Sequence, residues 1–493
     1  MFQAILAVLI LIPTSIFLWS VYTLIKARFS PLNHIPGWRL RNPLFGTISD
    51  SGYMNLLGRY RYEYENFGTI YRVYMPLSML YVVVTDADVA KHILQDNSKN
   101  YIRPPLTSMG VFRRLVGQSS ILLSNGEVHR NQRALATPAF TPSNVRQLTP
   151  IMFECGRQLV DRLASIANTG LIDIRSELSN CTLDVIGKAG FGYDFDCTSR
   201  KDDTRRASTG VQMVMSYITN FRIWYYLPYS DWLPIKANRD FDTGLKQLHG
   251  IAERMIDERT EALLGSKKEC KNLLDMMITG GSESALDRAS LRDQLMTFLL
   301  AGHETSSLTL TYALYFLSKN PRWQEECRAE ISHLGDTDLT HEMCERLKRV
   351  KAVVFESLRL LPPVFALARQ AVNDDQLGPY SIPAGTDVAV LVTQMHRSPA
   401  YWGVDANEFK PERFLEEEQK QPVPWHAYMP FGEGMRKCVG YKFALNEITV
   451  LLALLVKNFA FRLDPSEVDR DMDFFGIVTM IPARTIYLSV KKL

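Results

Sequence analysis

The segment PFGEGMRKCVG, residues 430 to 440, sets one cysteine among three glycines and two cations. Directly after it, GYKFALNEITVLLALLV has helical periodicity, so the Cys438 sulfur stands near a helix amino terminus whose unpaired N–H groups favour a thiolate. Arg436 and Lys437 add positive charge, and Gly432, Gly434 and Gly440 admit backbone conformations closed to other residues, letting amides approach the sulfur. Three chemistries compete: a buried structural thiol, a nucleophile, and a soft metal ligand. A nucleophile needs a histidine base, and His426 lies twelve residues upstream. The ligand reading is therefore favoured.

A second cluster is LLAGHETSS, where Gly302, Glu304, Thr305, Ser306 and Ser307 interrupt an apolar sequence. Glycine costs a helix interior about 1 kcal/mol relative to alanine, and a buried acid must find a partner or shift its pKa. Either Gly302 permits close helix packing while Glu304 pairs with a distant cation, or Glu304 and Thr305 form an acid–alcohol pair that relays protons beside a cavity. The residues leave both readings open. In FESLRLLPP, Glu356 and Arg359 share a helical face with apolar flanks, so the pair faces the interior and needs further partners; Arg413 of EFKPERF is a candidate.

Long elements must position these groups. The stretch from Leu291 to Lys319, opened by Ser290 with Asp293 three residues on and closed by Asn320-Pro321, predicts a helix of about 40 Å through the middle of the core. Residues 71–85, YRVYMPLSMLYVVVT, predict a hairpin, and YSIPAGTDVAVLVTQ, residues 380–394, a second sheet region around a Pro-Ala-Gly turn. No repeat or second composition break appears, so the residues from 38 to 493 predict one large, mainly α domain with small β-sheets, an α+β fold.

Residues 2–25 carry no charge and are long enough to cross a bilayer, with Lys26 and Arg28 following. The expectation is a transmembrane anchor over residues 1–25, a proline-rich hinge over 26–37, and a catalytic body on the cytoplasmic side. Basic residues exceed acidic ones by only three, so there is no global polyanion-binding field and no nucleic-acid partner is expected. Seven scattered cysteines without CxxC spacing argue against a disulfide framework and a structural zinc site.

Phe431, Gly434, Arg436, Cys438 and Gly440 match the haem-binding signature F-x-x-G-x-R-x-C-x-G, and the chain resembles the cytochrome P450 superfamily of the eukaryotic microsomal type. AGHET at 301–305, Glu356-x-x-Arg359 and Pro411-Glu412-Arg413-Phe414 precede that loop in the family's order. The resemblance implies the cytochrome P450 fold, with a long central helix over a haem b (iron protoporphyrin IX) whose axial ligand is the Cys438 thiolate. It implies that Phe431 packs beside the sulfur, that Arg436 and Arg369 reach the propionates, and that Glu356, Arg359 and Arg413 form a buried network behind the haem. Gly302 would widen the central helix where oxygen and substrate meet, with Glu304 and Thr305 delivering protons. Where the family places tryptophan four residues before Arg133, this chain has His129, a propionate contact expected to be pH-sensitive.

The activity implied is insertion of one oxygen atom of O2 into a lipophilic small molecule by hydroxylation or epoxidation. Electrons would come from NADPH through NADPH-cytochrome P450 reductase, with cytochrome b5 as a further partner, at the endoplasmic reticulum membrane. The basic face of Arg130, Arg133, Lys437 and Lys442 would dock the acidic donor. Apolar stretches 112–117, 220–229, 364–368 and 474–480 would line the substrate pocket in part, and the chain is similar to fungal members that oxidise specialised (secondary) metabolites such as terpenoids. Two rivals are an oxygen-independent haem-thiolate isomerase or dehydratase and a haem-dependent lipid binder without turnover.

Overall fold

The helix that spans the molecule runs Arg288–Lys319 and is buried on nearly every face. Its cap is Asp287, whose side chain accepts the Ser290 N–H, three residues ahead of the expected start. Asp293 faces Gly117 and the Ser119 amide instead of closing a capping box. At the far end Asn320 ends the helix and Pro321 opens the next, as the Asn-Pro pair dictates.

Two helices clasp this rod. Ile174–Ile186 crosses it so closely that a Cβ on Gly302 would lie 2.8 Å from the Ile186 side chain, and Thr182 donates to the His303 carbonyl at 2.9 Å. On another side lies Tyr441–Asn458, the apolar helix that follows the cysteine. The long helix Pro142–Ile166 packs against it, with Gly156 seated on Leu451 and Leu454. Their buried leucines, valines and aromatics form the main core.

At one end sits a five-stranded sheet, in spatial order Ile70–Met75, Met79–Val84, Asp387–Leu391, Ala366–Ala371 and Tyr101–Ile102. The first two form the expected hairpin, in register from Ile70 opposite Val84 to Met75 opposite Met79. The second sheet region also forms strands, but they part company at the Pro-Ala-Gly turn. Tyr380–Ile382 pairs with Asp375–Leu377, whereas Asp387–Leu391 runs parallel to Met79–Val84 and antiparallel to Ala366–Ala371. A separate core of Ile70, Val82, Val84, Ile93, Val388 and their neighbours lies beneath this sheet. Smaller sheets join Leu171–Asp173 to Tyr487–Lys492 and Phe459–Leu463, and Phe474–Phe475 to Ile481–Pro482.

The computed structural model describes residues 14–15, 17–18, 20–42, 44–48, 55–104, 110–117, 119–199, 205–219, 232–264, 272–279, 287–334, 339–418, 422–467, 472–476 and 478–493. Most of the expected anchor, residues 1–13, and the expected pocket stretch 220–229 lie outside the described residues. The expectation of a single-pass transmembrane helix with placement at the endoplasmic reticulum membrane is corrected: no helix among the described residues is long and apolar enough to cross a membrane. Of that segment, the helix described from residue 20 to 28 runs on through the charged Lys26 and Arg28. The proline-rich connector beyond is seated on the body, with Leu32 and Ile35 buried and Arg72 donating to the Leu32 carbonyl and to Asn33 Oδ1.

Candidate cofactor site

The cysteine loop is held by its own backbone. Gly432 and Gly434 take φ values of +68° and +71°, and a Cβ on Gly434 would collide with the Leu94 carbonyl at 1.8 Å, so this turn needs glycine there. Gly440 has an ordinary φ of −89°; its contribution is its amide, which hydrogen-bonds the Cys438 sulfur as the helix Tyr441–Asn458 begins. The Cys438 N–H donates to the Phe431 carbonyl at 2.9 Å, which closes the loop.

Among the described cysteines, Cys438 alone is exposed; Cys155, Cys181, Cys197, Cys327 and Cys344 are buried. Yet protein mass surrounds its thiol closely enough for burial to raise the pKa, against the opposing pull of the Gly440 amide and of Arg133. Its sulfur is thus accessible to solvent within dense surroundings. Ala301, in the buried middle of the central helix, is exposed too, and residues 364–368 are half-buried.

Next to the loop, four guanidinium groups and an imidazole converge. Arg436 donates to the Ser124 carbonyl at 2.5 Å and to Asn125 Oδ1 at 2.7 Å, and Arg133 donates to the Lys437 carbonyl at 2.7 Å. Arg369 is buried and donates to the adjacent Ala368 carbonyl. Arg103, which the sequence reading missed, has a buried Nε without a hydrogen-bond partner. Burial and mutual repulsion lower Arg369 to about 9 and Arg436 to about 10, and burial lowers Arg103. His129, buried beside all four, is held at about 4 by burial and then by their charge. None of the four arginines has a carboxylate partner among the described residues. A dianion with two carboxylates would relieve this uncompensated positive charge, and the two propionates of a haem fit that demand.

Lys437 does not add free charge to the loop, because Glu433 pairs with it at 2.7 Å. On the central helix, Thr305 donates to the Ala301 carbonyl at 2.8 Å, one turn back. Glu304 is buried and raised to about 7 by burial; Arg175 stands 3.8 Å from its Oε1 and Thr479 donates to its Oε2 at 3.2 Å. Gly302 is placed against Ile186, the packing alternative of the two open to it in the sequence.

Behind the loop, Arg359 grips Glu356 with two bonds of 2.7 Å, both side chains fully buried, and also donates to the carbonyls of His396, Ala406 and Glu408. Arg413 joins more weakly, 3.7 Å from Glu356, and its nearer partner is Asp405 at 2.5 Å. Of the described pocket stretches, Leu115, Val116, Phe474 and Met480 are core, while 364–368 is half-buried throughout.

A family model described as Cytochrome P450 matches residues 35–489. A "Cytochrome P450 monooxygenase 128" of Postia placenta is 28% identical, over 90% of this chain and 89% of that protein. "Protein LUTEIN DEFICIENT 5, chloroplastic" of Arabidopsis thaliana is 32% identical, over 81% of this chain and 68% of its own. The "Bifunctional cytochrome P450/NADPH--P450 reductase 2" of Bacillus subtilis is 32% identical over 65% of this chain and 30% of its length. A chloroplastic and a bacterial relative lend no support to the endoplasmic reticulum placement.

Proposed function

Because this chain belongs to the cytochrome P450 family, whose members hold haem through a cysteine thiolate and act as monooxygenases, we propose that Cys438 is its axial ligand and that it oxidises a lipophilic small molecule. When bound, the haem supplies the redox iron at which O2 is reduced by two electrons, one oxygen atom entering the substrate and the other leaving as water. The observation that carries this reading is the accessible Cys438 sulfur beside a cluster of arginines without carboxylate partners.

The chain's own part is to hold and to supply protons. Arg103, Arg133, Arg369 and Arg436, with His129, bind the two propionates, and the Gly440 amide and the Phe431 carbonyl fix the sulfur's approach. The Thr305 hydroxyl, resting on the Ala301 carbonyl one turn back, would serve as the O–H group that hands a proton to the reaction when the haem is bound. Glu304, raised to about 7 by burial against the opposing pull of Arg175 and Thr479, replenishes that proton. Residues 364–368 form part of the apolar wall for substrate, terpenoids among the classes that suit it. The unit 38–493 is the catalytic domain and 26–37 its connector. Electrons come from NADPH through a flavoprotein reductase that docks on the exposed Arg130 and the half-exposed Lys442, with cytochrome b5 as a second partner for that face.

Cys438→Ser is expected to abolish the thiolate-specific spectrum of the reduced, carbon monoxide-bound protein; its persistence would sink the assignment. Thr305→Ala should bind haem and substrate but divert NADPH electrons to peroxide, lowering product per NADPH by about tenfold. Turnover that needed neither NADPH nor O2 would favour an isomerase instead.

A further inference from the structure

The approach to the cysteine loop is held from behind by His396, a residue without any distinguishing sequence pattern. It is fully buried at the end of the short helix Val392–Met395. Its Nε2 takes the N–H of Met429 at 2.9 Å, and its Nδ1 lies 3.2 Å from the Arg359 carbonyl. Arg359 returns a bond to the His396 carbonyl at 2.8 Å. The ring stacks on Tyr428 with centroids 5.2 Å apart, and the Tyr428 hydroxyl donates to the Phe355 carbonyl at 2.9 Å.

These contacts allow one protonation state. A backbone N–H can only donate, so Nε2 must be bare, and the proton sits on Nδ1, where it is donated to the Arg359 carbonyl. From Met429 the bonds continue into the loop: the Gly432 N–H donates to the Met429 carbonyl at 3.0 Å, and the Cys438 N–H to the Phe431 carbonyl at 2.9 Å. A continuous path thus runs from the buried Glu356–Arg359 ion pair through His396 to Cys438.

We propose that His396 is a positioning residue for the cysteine ligand: as the Nδ1–H tautomer it fixes residues 429–432 against the Glu356–Arg359 ion pair and so sets the direction of the Cys438 sulfur. This rests on Cys438 being the axial ligand. It assigns the Glu356–Arg359 pair a route by which it bears on ligation, beyond its stabilisation of the fold.

The test compares His396→Gln, His396→Asn and His396→Leu in the haem-loaded protein. Glutamine can place an amide oxygen where Nε2 was, whereas asparagine reaches only the Nδ1 position and leucine neither. In the reduced, carbon monoxide-bound spectrum, the ratio of thiolate-ligated to otherwise ligated protein should fall about tenfold in the asparagine and leucine variants, and the glutamine variant should keep most of it. A leucine variant with the wild-type ratio, or glutamine no better than asparagine, would overturn the proposal. Should the variants not fold, hydrogen exchange in the wild-type holoprotein decides it. The Met429 amide should be protected as strongly as the interior of the helix Lys348–Leu360; exchange at the rate of an exposed turn would overturn it. A wild-type protein without a thiolate-specific spectrum would remove the functional reading instead, and exchange at Met429 would still report whether His396 holds the segment.

Discussion

Glu447 and Glu304 are two buried carboxyls, both raised by burial and opposed by different partners. Glu447 accepts the Ser306 hydroxyl at 2.5 Å, and burial, opposed only by that bond, raises it to about 8. Glu304, with Arg175 and Thr479 beside it, is raised to about 7. A carboxyl that holds its proton more tightly folded than unfolded contributes fully below its unfolded pKa, about 4.3, and that contribution is lost as pH rises toward the folded value. Glu447 should therefore make the fold progressively less stable between about pH 4.5 and about pH 8. Glu447→Gln keeps a neutral, hydrogen-bonding group at every pH. Its melting temperature relative to wild type should rise from about pH 5 to about pH 8, by an amount equivalent to a few kcal/mol at most. A pH-independent difference would mean that Glu447 is ionised in the fold. The Lys437 charge is a residue-scale lesson of another kind. Glu433 stands four residues before it within the same quoted segment, at the spacing for an i, i+4 pair, and the pairing was open to a reading of the sequence.

The crossing of Arg288–Lys319 with Ile174–Ile186 is where the open alternatives for Gly302 separate. Gly302→Ala should destabilise the fold by about 1–3 kcal/mol through overpacking, because the nearest atoms belong to a β-branched side chain in a buried helix. Ile186→Ala introduced alongside should recover part of that loss in denaturant unfolding. Additive losses would show that the contact is not the cause. This crossing also marks the limit of what the sequence made legible. Helices and strands announced themselves through periodicity and β-branched runs, and Cys438 through a dense local motif. Arg103 did not, since nothing in YIRPPL is distinctive; it joins the cluster because Tyr101–Ile102 pairs with the end of the strand that carries Arg369. Arg175 was invisible as the partner of Glu304 for the same reason, being brought near only by helix packing. The helix start moved from Ser290 to Asp287 because both residues can cap, and the side chain that meets a free N–H in the fold decides between them.

Across the whole molecule, the near-balanced charge leaves docking to local surface. Arg130 is exposed, Lys442 lies over the Tyr441 ring, and Val128 and Met435 expose apolar surface in the same two segments. Arg130→Glu with Lys442→Glu should slow reduction by a reductase about tenfold at low salt, with substrate affinity unchanged, and the deficit should shrink as salt rises. Lys437→Glu alone should also break its pair with Glu433, so salt-independent losses in that variant would report loop damage and not docking. The parallel pairing of Met79–Val84 with Asp387–Leu391 has a consequence in time. A ribosome delivers the first hairpin long before the strand that completes its sheet, so one edge of a β-branched ribbon waits unpaired through most of synthesis. Arg369 reaches its place only when that late strand zips in, and Cys438 follows later still. The residues of the candidate haem site therefore come together late in the chain's folding, and a chain that stalls before they do leaves that unpaired edge open to aggregation.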